Sequence, residues 1–200
     1  KWTADNRDLL MSGIYYEPVS RLRSAFWVPK LGEEIGQSLL ERVCRTKTVL
    51  YQFMRDTEHR VYYRTTGGLY WKVFTDFPPA FRVNGIKGHS TRETWFTLSQ
   101  KNMVRAAIAA LSSDIFWWWY TVTSNCRDLN PYDIQNFPIP DSLLGDPQLD
   151  FLGGMYLEDL KKNSVMLVRQ QRQTGRTETQ SFKIQKSKPI IDEIDRVLAK

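Results

Sequence analysis

The stretch NMVRAAIAALSSDIFWWWYTV, residues 102–122, sets the strongest limit on the fold. Its first half is made of good helix formers, and apolar residues fall on nearly every face of the helix. Such a helix cannot rest one stripe on a core and leave the remainder in water, so it must be enclosed, with a sheet as the natural cover. Ser112-Ser113 is expected to split it, Ser113 capping a second helix over IFWWWY. Consecutive residues on a helix point roughly 100° apart, so Trp117, Trp118 and Trp119 cannot all present to one nucleobase. Core packing is their expected role, with one ring at a domain boundary, and a buried Trp118 would be lost at a core-type cost.

The flanking sequence supplies the cover. Ile35, Leu39, Leu40 and Val43 recur at helical spacing between Gly32 and Arg45. TVLYQFM (48–54), RVYYR (60–64) and LYWKVF (69–74) are rich in β-branched and aromatic residues and read as strands, Gly67-Gly68 joining the last two. Phe81–Val83 and Glu93–Leu98 read as another pair, with Asn84-Gly85 as the turn. After Asn125 a polar loop, CRDLNPYDIQN, leads to the short extended segment FPIP. Asp146-Pro147 opens a helical region toward Gln171, interrupted at Gly153-Gly154. RQTGRTETQ reads as a polar linker and SFKIQ as a short strand, and Ser187 with Pro189 starts a last helix striped by Ile191, Ile194, Val197 and Leu198. The expected class is α/β (α+β): a twisted, mostly antiparallel sheet, a buried aromatic-rich helix and a C-terminal helical extension. The expected division is 1–44 linker and helix, 45–145 core, and 146–200 extension.

Charge narrows the function. Of the net +6, residues 1–44 and 93–200 each contribute nothing, while residues 45–92 hold Arg45, Lys47, Arg55, Arg60, Arg64, Lys72, Arg82, Lys87 and Arg92 against Asp56, Glu58 and Asp76. A basic stretch interleaved with Tyr51, Tyr62, Tyr63, Tyr70, Trp71 and Phe74 suits a polyanion better than a small neutral ligand. No apolar run approaches the roughly 18 residues of a membrane span and no signal-peptide layout opens the chain, so a cytoplasmic protein with no membrane partner is expected. Cys44 and Cys126 stand far apart, outside metal-ligand spacing, and are expected to be reduced. The chain opens at Lys1 without methionine and stops at Lys200 within a helical pattern, and is expected to be part of a longer polypeptide.

Several catalytic patterns fall short. DFPPAF (76–81) resembles the Asp/Asn-Pro-Pro-Tyr/Phe turn with which amino-methyltransferases hold a flipped base, but Phe77 separates the acid from the prolines. Asp141 followed by Asp159-Leu160-Lys161 has the spacing of a magnesium nuclease, yet its second half falls in an expected helix rather than on converging strands. His59 and His89 have no companion histidine or cysteine. Neither catalytic residues nor a metal site are expected.

In order, "YYRTTGGLYW", "STRETWFTLSQ", the Ala-rich helix ending "SSDIFWWWYTVTSNCRDLNPYDIQNFPIP", and "SKPIIDEIDRVLA" resemble the C-terminal specificity part of adenine-specific DNA methyltransferases of the Eco57-like and Taq-like kind, found in restriction-modification enzymes. The resemblance spans residues 45–140, with the terminal KPIIDEIDRVLA as a second match. It implies a target-recognition domain for double-stranded DNA, joined to a separate methyltransferase domain that binds S-adenosylmethionine and methylates a flipped adenine. No cofactor is expected in the present chain.

On that reading the aromatic helix anchors the polar loop from Thr121 to Asn130 at the DNA side. Asn125, Arg127 and Asn130 suit base contacts there, since Asn pairs bidentately with adenine and Arg with guanine or a phosphate. Arg64, Lys72, Lys87 and Arg92 are expected to face DNA, and His89, Ser90 and Thr91 to share a reading loop with Arg92. Two alternatives stand beside this: a docking module whose exposed aromatics form an interface, and a binder of single-stranded nucleic acid by stacking. Within the loop, too, a local use competes with DNA: Arg127 can pair with Asp128, and Asn130 can serve the turn before Pro131.

Overall fold

The spacing around Leu40 produces α1 (Glu34–Val43), which buries Leu40 in the core and leaves Ile35 in water. The computed structural model describes residues 12, 27–31, 34–66 and 73–200. Gly67-Gly68, Lys72 and most of the strand expected over 69–74 lie outside the described residues.

The strand expected over 48–54 does not form. Val49 bridges Pro138, a 3₁₀ turn runs over Leu50–Phe53, and Met54 bridges Leu98. The partner segment FPIP explains this: Leu50 N–H donates to Phe137 O (3.0 Å) and Ile139 N–H to Thr48 O (3.1 Å), but Pro138 and Pro140 have no N–H with which to extend a ladder.

Beyond it, β1 (Arg60–Arg64) is the middle strand of a three-stranded antiparallel sheet, between β2 (Phe74–Thr75) and a later strand. β3 (Phe81–Val83) turns through Asn84 and Gly85, both at positive φ (49° and 83°), into β4 (Ile86–Lys87). That two-residue turn was legible as a hairpin signal, but the strand it serves is β4 rather than the one over 93–98. β5 (Glu93–Thr97) instead pairs with β1, Val61 opposite Phe96 and Arg64 opposite Glu93.

α2 (Met103–Leu111) and α3 (Asp114–Thr123) follow, split where expected, with Phe116 N–H donating to the Ser113 hydroxyl at 3.0 Å. Every α2 residue except Arg105 is buried. In α3 the buried ring is Trp119, 1% exposed, whereas Trp117 and Trp118 are half-buried. Helical phase decides it, because Phe116, Trp119 and Tyr120 stand at i, i+3 and i+4 and share one face. Phe137 meets both rings edge-on, at 5.0 Å from Phe116 and 5.5 Å from Trp119.

Short helices α4 (Pro131–Gln135) and α5 (Asp141–Leu144) lead to α6 (Pro147–Lys162), whose first amides are capped by Asp146 at 2.7 and 2.9 Å. Gly153-Gly154 does not interrupt α6. α2 crosses there so closely that a Cβ on Gly153 would lie 2.2 Å from the Arg105 carbonyl oxygen. Nor does α6 reach Gln171. Residues 164–171 form β6 (Ser164–Gln171), which pairs along its whole length with β7 (Gly175–Phe182). The segment RQTGRTETQ is thus a hairpin tip and strand, not a linker. α7 (Lys188–Leu198) closes the fold with Ile191, Ile194 and Val197 buried.

The fold is α+β, and among the described residues its antiparallel strands form two sheets, β2-β1-β5 and β4-β3-β7-β6. Among the described residues no helix is long and apolar enough to cross a membrane.

Candidate functional site

Between the two sheets lies a cleft of about 570 Å³. Strand alternation decides which side chains enter it. On β7, Thr177, Thr179 and Ser181 face the cleft, joined by Phe81 and Val83 of β3 and by Leu167 and Arg169 of β6, their partners in register. The opposite face carries Arg82, Arg176 and Glu178, with Glu178 paired to Arg82 (3.6 Å) and to Arg176 (3.0 Å). Cationic charge on the back of this sheet is therefore partly neutralised.

The facing wall is the loop before β5 together with the end of β1. Ser90 shapes that loop: its carbonyl accepts from Glu93 N–H (3.0 Å) and its hydroxyl from Arg92 N–H (3.3 Å). Gly88 N–H donates to Phe81 O (3.0 Å), tying the loop to the four-stranded sheet. Arg64, His89, Ser90, Thr91 and Arg92 consequently line the cleft together, opposite Arg169. Among the described lining residues there are three guanidinium groups and no carboxylate.

An acid outside the lining, Glu93, stands opposite Arg64 in the β1–β5 register. Burial pushes its carboxyl up from the ordinary value, and the charges of Arg64 and His89 oppose that shift. Arg64 Nε and Glu93 Oε1 are both enclosed without a hydrogen-bond partner. A buried donor and acceptor left unsatisfied are costly, which makes this end of the cleft a place where water or a ligand group is favoured. The outer face of the three-stranded sheet continues from there into Tyr62 and the exposed Trp95, whose rings lie 6.1 Å apart with the Arg60 guanidinium over Trp95 at 5.1 Å.

Comparison with protein-family models, curated proteins and solved structures finds no significant match.

Of the residues singled out in the sequence, five come together in the cleft: Arg64, His89, Ser90, Thr91 and Arg92. Lys72 lies outside the described residues. Lys87 pairs with Arg82 and shares its face, so it points to the back of the sheet. The loop holding Asn125, Arg127 and Asn130 is adjacent rather than part of the lining, and the two loops are joined through Thr65. Leu129 N–H donates to Thr65 O (2.9 Å), and Thr65 N–H to Arg92 O (3.0 Å).

The side chains of that second loop do local work. Asn125 Oδ1 accepts from Arg127 N–H at 2.9 Å, and Arg127 pairs with Asp128 at 3.6 Å while 87% exposed. Asn130 precedes α4, its N–H bonded to Asp133 at 2.8 Å and its amide nitrogen to Asp128 O and Tyr132 Oη, each at 3.2 Å. Arg127 alone of the three retains reach into solvent without giving up a turn.

Arg169, Thr177 and Thr179 were missed because their segment read as helix and linker. The alternation of Thr177, Thr179 and Ser181 on either side of Glu178 and Gln180 was the available strand signal.

Asp159 is engaged by Ser187 Oγ (2.6 Å) and Asn163 Nδ2 (2.9 Å), and Phe77 packs against Phe182. Among the described residues, the carboxylates close enough to share a cation are Asp114, Asp192 and Asp195, and Lys188 already bridges the first two.

Proposed function

We propose that this chain recognises double-stranded DNA in a sequence-specific way, as the target-recognition part of an adenine-specific DNA methyltransferase of the Eco57-like and Taq-like kind acting in the cytoplasm. The observation that carries the reading is the cleft between two sheets, with Arg64, Arg92 and Arg169 on its walls, hydroxyl groups between them and no carboxylate among the described lining residues. Guanidinium groups bind phosphate oxygens in a fixed fork, and serine and threonine hydroxyls add short-range donors. Arg64 and Arg169 stand on strands, and Gly88 and Ser90 tether the loop that carries Arg92, so the backbone of both walls is set before DNA arrives. Methyl transfer and S-adenosylmethionine binding are assigned to a separate domain of the same polypeptide, and this chain supplies register and orientation on the duplex.

Competition between a duplex and its separated strands, measured at two salt concentrations, tests the reading. Duplex preference with an affinity that falls steeply with salt is the expected result. Equal binding of single strands would replace it with the stacking alternative, to which the exposed Trp95 and its neighbour Tyr62 would then belong.

A further inference from the structure

The hairpin β6–β7 is the longest strand pair described, in register from Ser164 opposite Phe182 to Gln171 opposite Gly175. β3 borders β7 only from Thr177 to Thr179, and among the described residues β6 has no strand on its other side. Past Thr177 only the turn residue Asn84 borders the hairpin, at Arg176, and its end is two-stranded. Its end reads RQQRQTGR (169–176), and no acid occurs between Asp159 and Glu178. Residues 169–173 are all exposed.

That composition is specific in its chemistry. Arginine presents paired donors that match guanine O6 and N7, and glutamine presents a donor and an acceptor that match adenine N7 and N6. The B-form major groove, about 12 Å wide, admits a two-stranded ribbon. Solubility would be served as well by lysine and glutamate, yet every residue from Arg169 to Gln173 is an arginine or a glutamine.

The ribbon is also aimed. Asn84 N–H donates to Arg176 O (2.8 Å) and Asn84 Oδ1 accepts from Arg176 N–H (2.9 Å), locking the tip against the β3–β4 turn. Gly175, at φ 76°, lies so near that a Cβ there would come within 2.5 Å of Asn84 Oδ1. Arg169, Gln171 and Thr174 face the basic cleft, and the Thr174 hydroxyl donates to Gln171 Oε1. Arg176 is held on the back by Glu178, which leaves Arg172 as the exposed arginine of the turn.

We infer that the β6–β7 hairpin enters the major groove, where Gln171 and Arg172 read base edges while the cleft holds the neighbouring backbone. The inference rests on the duplex-DNA reading above, and its test separates the two. The complete chain is offered duplexes with a randomised central stretch, and bound molecules are sequenced for the wild type, Gln171→Ala and Arg172→Ala. Both side chains are exposed, so unchanged thermal melts are expected to accompany the variants.

The wild type should enrich a defined site. Each variant should lose roughly five- to hundredfold of the preference at one base pair while its affinity for unselected duplex stays within a few-fold of wild type. Premethylation of guanine N7, which blocks the major-groove edge, should interfere with wild-type binding at a guanine where Arg172→Ala is indifferent.

Failure of the wild type to bind or to discriminate among duplexes overturns both proposals. An enriched wild-type site that both variants reproduce at every position overturns the hairpin inference alone, as does an equal loss on all duplexes, which would make the hairpin a backbone clamp. Equal binding of an A-form RNA duplex, whose major groove is too deep and narrow for a ribbon, overturns it too.

Discussion

Gly153 and Gly154 are neighbours with opposite duties. A Cβ on Gly153 would overlap the Arg105 carbonyl oxygen, whereas one on Gly154 would meet the end of the Arg105 side chain at 3.5 Å, an ordinary approach to a group that can move. Gly153→Ala should therefore force α2 and α6 apart and cost about 1–3 kcal/mol or more. Gly154→Ala should be neutral or stabilise α6 by up to about 1 kcal/mol through helix propensity. Urea melts of the two variants check the contrast. From the sequence alone the pair reads as a helix breaker, because a close helix crossing is made by a partner far away in the chain and leaves no local trace. Asp195 carries a second residue-scale effect. It reaches from α7 to accept the Asp114 and Ile115 amides of α3, each at 3.3 Å. Burial, reinforced by the charge of Asp114 against that of Lys188, raises its pKa from 3.8 to about 6. An acid whose folded pKa is raised carries no penalty below its unfolded value, loses stability as pH rises between the two values, and keeps that loss above them. Asp195→Asn retains an acceptor for the amides without the charge. Its melting temperature should lack the decline that the wild type shows between about pH 4 and pH 6; parallel pH profiles would refute the assignment.

Elements were legible wherever a cap or a single periodicity decided them. Ser113, Asp146 and the isoleucine stripe of the last helix placed α3, α6 and α7 almost to the residue at their starts. The strand signal over 48–54 failed for a reason outside that segment, namely the prolines of its partner FPIP. The β6–β7 hairpin failed because its exposed strands carry polar residues on both faces toward the tip, so alternation of hydrophobicity, the usual strand mark, is faint. Within α3 the three tryptophans look alike in sequence but differ in the fold. Trp119→Ala should cost about 3–5 kcal/mol, the range for truncating a buried aromatic, and Trp118→Ala distinctly less because that ring is half-buried. Chemical denaturation of both variants ranks them, and a larger loss at Trp118 would mean that α3 is rotated about its axis relative to the arrangement described.

At the scale of the molecule, the cleft joins segments far apart in the chain, residues 64 and 89–92 on one side and 81–83 with 167–181 on the other. Half of it was legible as a basic stretch with a polar loop. The other half was not, since Arg169 becomes part of the site only when β7 pairs with β3 and turns its odd-numbered face toward Arg64 and Arg92. The back face of the same sheet supplies an internal control. Lys87 and Arg82 are exposed cations too, but alternation points them away from the cleft, and Arg82 is paired with Glu178. Removing one cation that binds a phosphate should lower the slope of log K against log salt by about one unit on duplex DNA. Arg64→Gln, Arg92→Gln and Arg169→Gln should each produce that change, and the triple variant a change near the sum, because the three groups stand on separate elements and can engage separate phosphates. Lys87→Gln should leave the slope where it was. Titrations of a random-sequence duplex over a range of salt measure all five variants and the wild type on one scale. A slope altered by Lys87→Gln and unaltered by the cleft arginines would place DNA on the back of the four-stranded sheet, and the cleft would then need another occupant.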